Sequence, residues 1–352
     1  MDELFLSDAG IKENLFPFTI TRSVADIRIG IMTLREKWNT LLKEPIRVSE
    51  DGIVAQDNAA ILSAAIIPSE RFVNSLFKEG KIIDNPDWTS VKILQFPWHI
   101  FLWNDWAIRE DFNLLTRNRA SAEIASDVKT VNSADIFLEE GAKLSHCFIN
   151  AEAGPVYIGK NAEIMEGACI RGPVAICEGS VVKMGAKIYG ATTIGPYSTV
   201  GGEIKNSVVF GYSNKAHDGY LGDSVIGEWC NLGAGTSNSN VKNNASEIRM
   251  YNHVQNESIG TGLVKCGLIM GDYSRSSINT SFNTGTLVGV CANIFGEGLT
   301  PKYIPSFAWG TNAARRYEFD KALDDIDKWK KLKGHILTEQ EKSRLKLIFD
   351  QI

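Results

Sequence analysis

An aliphatic residue returns at every sixth position from Ile158 onward: Ile164, Ile170, Ile176, Val182, Ile188, Ile194 and Val200 follow in turn. A period of six fits neither the 3.6 of a helix nor the two of an amphipathic strand. It fits hexapeptide repeats, each supplying one short flat side of a left-handed parallel β-helix. Four residues after each aliphatic stand Ala162, Ala168, Val174, Ser180, Ala186, Thr192 and Ser198. Such mostly small side chains suit tight corners, where bulk would collide with the stacked rung. The repeat lapses near Gly201 and Gly202, resumes with Ile226 and Leu232, and lapses again from about Ser237 to Glu257. Lapses in a solenoid predict loops on one face, often the binding face.

The flanks follow other periods. Residues 1–115 read as a small mixed α/β domain, 116–310 as the coil and 311–352 as a helical tail. Val24, Ile27, Ile31, Leu34 and Trp38 share one helical face, and Ser23 with Asp26 marks a start, so a helix is predicted there. The runs "DELFLSD", "EPIRVSE" and "VKILQFPW" predict strands around it, and "PWHIFLWNDWAIREDF" an amphipathic join to the coil. In the tail, "DKALDDIDKWKKL" and "LTEQEKSRLKLIFDQI" predict helices, the second opened by a Thr338–Glu341 capping box. A tail of this kind is expected to cover the open end of the coil, where bare strand edges invite aggregation.

Charge and cysteine content narrow the partners. A formal charge of −5 gives no global reason for nucleic-acid or anionic-membrane binding, so any anionic ligand must be met locally. The six cysteines are scattered beside apolar or small residues and read as buried free thiols. No His/Cys/Asp spacing suggests a metal site. The opening "MDELFLSDAG" is acidic where a secretory leader is basic, and no apolar run is long enough to span a bilayer, so a cytoplasmic protein is expected.

The candidate chemistry lies at the lapses. "EIKNSVVFGYSNKAHDGYLGDSVIGEWCNLGAGTSNSN", Glu203 to Asn240, combines a basic residue, His-x-x-Tyr-x-Gly-Asp, Asn-x-Gly-Ala-Gly-Thr and a final Asn. This stretch resembles the acetyltransferase half of the GlmU-type bifunctional N-acetylglucosamine-1-phosphate uridyltransferase/glucosamine-1-phosphate acetyltransferases. The longer insertion before "GLIMGDYSRSSIN" is closer to the archaeal relatives, and the whole chain is similar to GlmU-related nucleotidyltransferase-like proteins of Bacteroidetes. The resemblance implies a homotrimer with acetyl-CoA held between neighbouring coils. It implies His217 as the base acting on the sugar amine, Tyr220 and Asn231 positioning that sugar, and Asn240 orienting substrate or base. It also implies Lys205 on the phosphate and the amides of Gly233, Ala234 and Gly235 around the thioester oxygen. Amine acylation needs those parts: a proton acceptor titrating near neutrality, amide donors, and two reactants held close.

Two departures bear on substrate and on the first domain. Lys187 stands where the bacterial enzymes carry a phosphate-facing arginine, and lysine cannot grip phosphate bidentately. A later lysine of theirs matches Ser246, with Lys242 or Arg249 as alternative sources of charge. After the first strand the chain has Asp8 to Asn14 with one glycine, where nucleotidyltransferases use a glycine-rich loop to bring amides to the triphosphate. That loop and the short length predict a reduced domain without catalysis, in which Lys12, Arg22 and Arg28 are read as solvated surface charges, with anion contacts as the competing reading. His253 is expected in a solvated loop, and His99, His146 and His335 receive no role. The hydroxyl-rich run Gly271 to Gly285 is read as corner ladders of the coil, with CoA binding as the competing reading.

The leading expectation is an acetyl- or acyl-CoA-dependent N-acyltransferase acting on an amino-sugar phosphate or a nucleotide-linked amino sugar. Sugar-1-phosphate nucleotidyl transfer, with Mg2+, is the alternative. A non-catalytic trimeric scaffold that binds a sugar nucleotide is the third reading.

Overall fold

The computed structural model describes residues 3–49, 60–78, 81–83, 85–311 and 315–352. Its centre is a three-sided parallel β-helix of the left-handed hexapeptide type. Its three sheets have nine, eight and six strands among the described residues. The aliphatic of each hexad points inward and sits on its equivalent in the next coil. Ile158 pairs with Ile176 and then Ile194, and Ile164 with Val182 and then Val200. All are buried, each contributing roughly 1.5–3 kcal/mol by leaving water. Ala162, Ala168, Ser180, Ala186 and Ser198 are fully buried at the corners. The serines there donate to carbonyls of the following coil, Ser180 to Gly195 at 2.9 Å and Ser198 to Phe210 at 2.7 Å.

The lapse at Gly201 and Gly202 is not a loop. Val200 is followed by an inward Ile204, because the corner between them is shortened, and the coil continues through strands Glu203–Lys205 and Tyr220–Gly222. The inward position between Val209 and Leu221 is Lys215, which is why the hexad cannot be followed there by hydrophobicity. The true excursion spans 239–266 and carries a hairpin of Arg249–Asn252 and Glu257–Gly260. Its Ile248 and Met250 join the core of the first domain.

In that domain, strand Leu4–Ser7 lies between parallel strands Arg47–Ser49 and Ala60–Ser63. The helix α1 covers Leu34–Leu42, not the stretch from Ser23. Ser23 caps only a single 3-10 turn, Val24–Asp26, and a hairpin around Gly30 follows. Gly30 has φ +69°, and a Cβ there would meet the Asp111 carboxylate and the Ala107 backbone. The apolar residues of the expected helical face are still buried, but by a turn, a hairpin and α1, which is started by a Thr33–Glu36 capping box. Helices α2 (Glu70–Leu76), α3 (His99–Leu102) and α4 (Asn104–Thr116) complete the domain.

The nine-stranded sheet of the coil faces this domain, with Val208, Val225, Ile269 and Leu287 inside the shared core. Asn104 ties the two together: its Nδ2 donates to Ala191 O at 2.6 Å and its Oδ1 accepts from Gly30 N at 2.7 Å. Arg22 is not a surface charge. It is buried against Phe210 and paired with Asp272 and, at 3.3 Å, Glu228 of the coil.

Helices α5 (Phe319–Lys331) and α6 (Glu339–Asp350) pack along the flank of the coil. They cover the corner between the nine- and eight-stranded sheets, where Trp229, Tyr273 and Phe307 each have a left-handed backbone. Lys333 reaches down that flank to Tyr197 O at 2.6 Å and Asn214 Oδ1 at 3.1 Å. The six-stranded sheet has exposed outward side chains such as Phe148, Cys169 and Lys187, and we call it the open sheet.

All six cysteines are free; five are buried and Cys169 is exposed on the open sheet. Burial raises the buried thiols above their ordinary range. An unfolded chain releases those protons near pH 8.5 while the folded chain keeps them, so stability falls as pH rises past that point. Lys215 and Lys333, lowered by burial to about 8, and Lys37 and Lys302, also lowered by burial, act in the opposite sense over the same window. Five thiols stand against four amines, so the urea midpoint is expected to fall only modestly between pH 8 and pH 10. A rising midpoint would contradict this accounting.

Candidate active site

His217 occupies the corner between strand Asn214–Lys215 of the eight-stranded sheet and strand Tyr220–Gly222 of the open sheet. Its imidazole is exposed and makes no hydrogen bond to the described residues. The corner beneath it is held rigidly. Lys215, 3% exposed among the inward aliphatics, donates from Nζ to Gly201 O at 3.1 Å and to His217 O at 2.5 Å. Gly219 closes the turn at φ +123°, where a Cβ would lie 2.0 Å from Thr236 O of the coil above. The next corner stacks directly on this one, because Gly235 N donates to Asp218 O at 3.1 Å. That next corner is Gly233-Ala234-Gly235. The Ala234 carbonyl accepts from Asn279 N at 2.7 Å, whereas its N–H donates to none of the described residues.

Tyr220 begins the strand after the corner, and its ring folds back over Gly222, where any Cβ would meet the phenol oxygen. Asn240 arrives from the start of the excursion and donates from Nδ2 to the Tyr220 hydroxyl at 3.0 Å and to Asp223. Asp223 is buried and also accepts from Asn206 at 2.6 Å. Burial, with the Asp223 charge second, pushes the Tyr220 phenol up to about 12, so it remains a hydrogen-bond donor at neutral pH.

One coil below Tyr220, Glu203 lies opposite it and Lys205 opposite Gly222; one further below, Lys187 and Tyr189 hold the same positions. Tyr189 donates to Glu203 at 2.5 Å, and the Lys205 ammonium lies 5.8 Å from the Tyr189 ring. Neither Lys187 nor Lys205 forms an ion pair with a described residue.

His217, Tyr220, Asn240, Lys205 and Lys187 therefore share one corner and one face, with Gly233 to Gly235 immediately above. Asn231 does not lie on that face. It sits around the corner on the eight-stranded sheet, between Asn214 and Arg275, on the side taken by the tail. Lys242 and Arg249 are spent inside the excursion, on Glu247 O and Ser258 O. His253 is exposed, but its ring stacks on Phe16 at 4.3 Å instead of lying free in solvent. The hydroxyls of Ser274, Thr280 and Thr286 donate to carbonyls of the coil itself. Lys215 and Asn206 were missed in sequence, although Lys215 falls on the hexad phase set by Val209 and Leu221; Asp223 closes the His-x-x-Tyr-x-Gly-Asp motif but receives no role from it.

Comparison with known proteins agrees with both halves of this architecture. The sugar nucleotidyl transferase family pattern matches residues 4–77. A bifunctional sugar-1-phosphate nucleotidylyltransferase/acetyltransferase of Sulfurisphaera tokodaii is 31% identical over 271 residues, 76% of this chain and 57% of that protein. The chain is similar in sequence to GlmU-type enzymes in both of these parts. GlmU of Synechococcus elongatus is 26% identical over 173 residues, covering 47% of this chain and 34% of its own length. The acetyltransferase YaiX of Escherichia coli is 28% identical over 182 residues, 48% of this chain and 72% of YaiX. The chain thus spans about half the length of the bifunctional relative from Sulfurisphaera tokodaii. Among the described residues no helix is long and apolar enough to cross a membrane, and no group of three His, Cys, Asp or Glu could hold a metal.

Proposed function

We propose that this protein is an acetyl- or acyl-CoA-dependent N-acyltransferase acting on the amine of an amino-sugar phosphate or nucleotide-linked amino sugar. The observation that carries the reading is the stacking of the His217 corner under the Ala234 corner, with an exposed imidazole below an unused amide N–H. In the reaction the amine nitrogen bonds to the thioester carbonyl carbon and the C–S bond breaks. His217 takes the amine proton and passes it to the departing thiolate. The Ala234 N–H meets the carbonyl oxygen as it gathers charge, with little reorganisation because stacked coils fix the amide in advance. The Tyr220 hydroxyl, oriented by Asn240, faces the acceptor sugar, while Lys205 and Lys187 meet its phosphate. The open sheet leaves one side of this site uncovered, which supports a homotrimer in which a neighbouring coil closes it around the acyl donor.

The test is thiol release from acetyl-CoA with a panel of amino-sugar phosphates and their nucleotide-linked forms. Lys205→Ala is expected to raise the acceptor KM about tenfold, the loss of one charge-assisted phosphate contact, with the acetyl-CoA KM unchanged. An unchanged acceptor KM would remove Lys205 from the phosphate site.

The match at residues 4–77 favours a second reading, nucleotidyl transfer in the first domain. Against it, the loop after the first strand spends its own donors: Ile11 N and Lys12 N both bond Asp8 O. The buried Asp8 carboxylate accepts from Ser23 and Val24. Magnesium-dependent pyrophosphate release from a nucleoside triphosphate and a sugar phosphate would establish this activity.

A further inference from the structure

We propose that the open sheet below the His217 corner binds the diphosphate and nucleoside of a nucleotide-linked amino sugar, with Arg171 on the diphosphate and Phe148 under the base. This deepens the acyl-transfer reading and rests on it for the identity of the sugar end.

The outward positions of the open sheet form two columns. One runs from Tyr220 down through Glu203, Lys187 and Cys169 to Phe148; the other runs from Lys205 through Tyr189 and Arg171 to Asn150 and Val131. Their lower ends line a groove of about 570 Å3 that contains no carboxylate. Arg171, Lys187 and Lys205 stand on three consecutive strands around Tyr189, diagonal neighbours across the sheet. Diagonal cross-strand side chains are roughly 7–8 Å apart, and like charges so placed repel. None of the three forms an ion pair with a described residue, and Glu203, the one carboxylate in the columns, accepts from Tyr189. Glu203 keeps its charge while accepting that bond, so the three cations leave a net of two positive charges, which a diphosphate would balance. Phe148, 52% exposed, and Val131, 49% exposed, form an apolar floor beyond it, and aromatic faces of this kind stack nucleobases.

Length decides between the two acceptor classes. Coils stack at about 4.8 Å, so Arg171 lies about 14 Å and Phe148 about 19 Å below Tyr220. One pyranose ring and one phosphate reach Lys205 and Lys187 and stop there. A sugar linked through a diphosphate to a nucleoside continues to Arg171, whose guanidinium supplies the bidentate grip that Lys187 cannot, and then to Phe148. The ADP end of acyl-CoA has the same chemistry. It would enter from the Ala234 side of the corner, where Ile278 and Phe295 are exposed apolar side chains on the coils beyond, away from Arg171.

Titration calorimetry of the full chain with nucleoside diphosphates, with and without saturating CoA, tests this. One or more diphosphates are expected to bind whether or not CoA is present. Arg171→Ala is expected to weaken them on the order of tenfold, and Phe148→Ala to weaken them while leaving inorganic pyrophosphate unchanged. In acyl transfer, Arg171→Ala is expected to raise KM for nucleotide-linked acceptors and not for monophosphates. Competition with CoA would assign the groove to the acyl donor, and a Phe148→Ala variant that dissociates into monomers without losing diphosphate binding would assign it to a second copy of the chain. Either result, or unaltered binding by Arg171→Ala, overturns the proposal. The binding arms are repeated on His217→Ala, so that a groove without acyl transfer and acyl transfer without the groove are told apart. Both substituted side chains are exposed, and an unchanged thermal midpoint confirms that each variant folds.

Discussion

His217→Ala is expected to lower kcat for acyl transfer by about 10²–10⁴-fold, the usual contribution of a positioned proton acceptor, with the KM for acyl-CoA unchanged. The corner that carries His217 is held by its backbone: the carbonyl is bonded by Lys215, and the neighbouring Asp218 carbonyl by Gly235 N. Removing an exposed imidazole leaves those bonds intact, so the thermal midpoint should match that of the native protein. A residual rate above the uncatalysed reaction is expected as well, since the Ala234 amide and the proximity of the reactants survive. Tyr220→Phe is the informative comparison, because it deletes the hydroxyl while keeping the ring over Gly222; it should raise the acceptor KM and spare most of kcat. Native rates in His217→Ala would place the proton transfer elsewhere and withdraw the mechanism.

Arg22→Ala is expected to cost about 3–5 kcal/mol in urea denaturation, the range for breaking a buried ion pair from one side. Arg22 comes from the first domain, and its partner Asp272, 1% exposed, lies 250 residues later on the coil. Thr21 donates to the same carboxylate, and the other Asp272 oxygen accepts from Glu228 N at 2.8 Å. Without the guanidinium, the buried Asp272 keeps its neutral donors but loses its charge partner. Nearby Glu228 is already raised by burial. Replacing both partners by uncharged residues of similar shape, Arg22→Met with Asp272→Asn, should recover much of the loss. If Arg22→Ala alone costs nothing measurable, the two halves of the molecule are joined by their apolar contacts, and the buried pair only sets their register.

The amino-acid order by itself determined the coil from Ile158 to Val200, because the inward position of a hexapeptide is dictated by local geometry and each repeat restates it. It also determined the second tail helix, whose Thr338 and Glu341 satisfy each other within one turn. The family motif brought His217, Tyr220 and the Gly233-Ala234-Gly235 turn to notice, but not their arrangement. That depended on stacking. Lys215 is tolerated among aliphatics only because the carbonyls of Gly201 and His217, in two coils, converge on its ammonium. Asn240 meets Tyr220 and Asp223 only because the excursion leaves the coil at that rung. The same stacking sent Asn231 around the corner and aligned Arg171 with Lys187 and Lys205. The helix expected from Ser23 failed for a related reason: its apolar residues are buried as predicted, but by partners from several distant segments, Trp38 against Phe72 and Ile31 beside Phe112 and Tyr157, and Gly30 lets the backbone turn closely against α4. Periodicity records which side of a segment leaves water; what that side meets is decided only when distant segments are brought together.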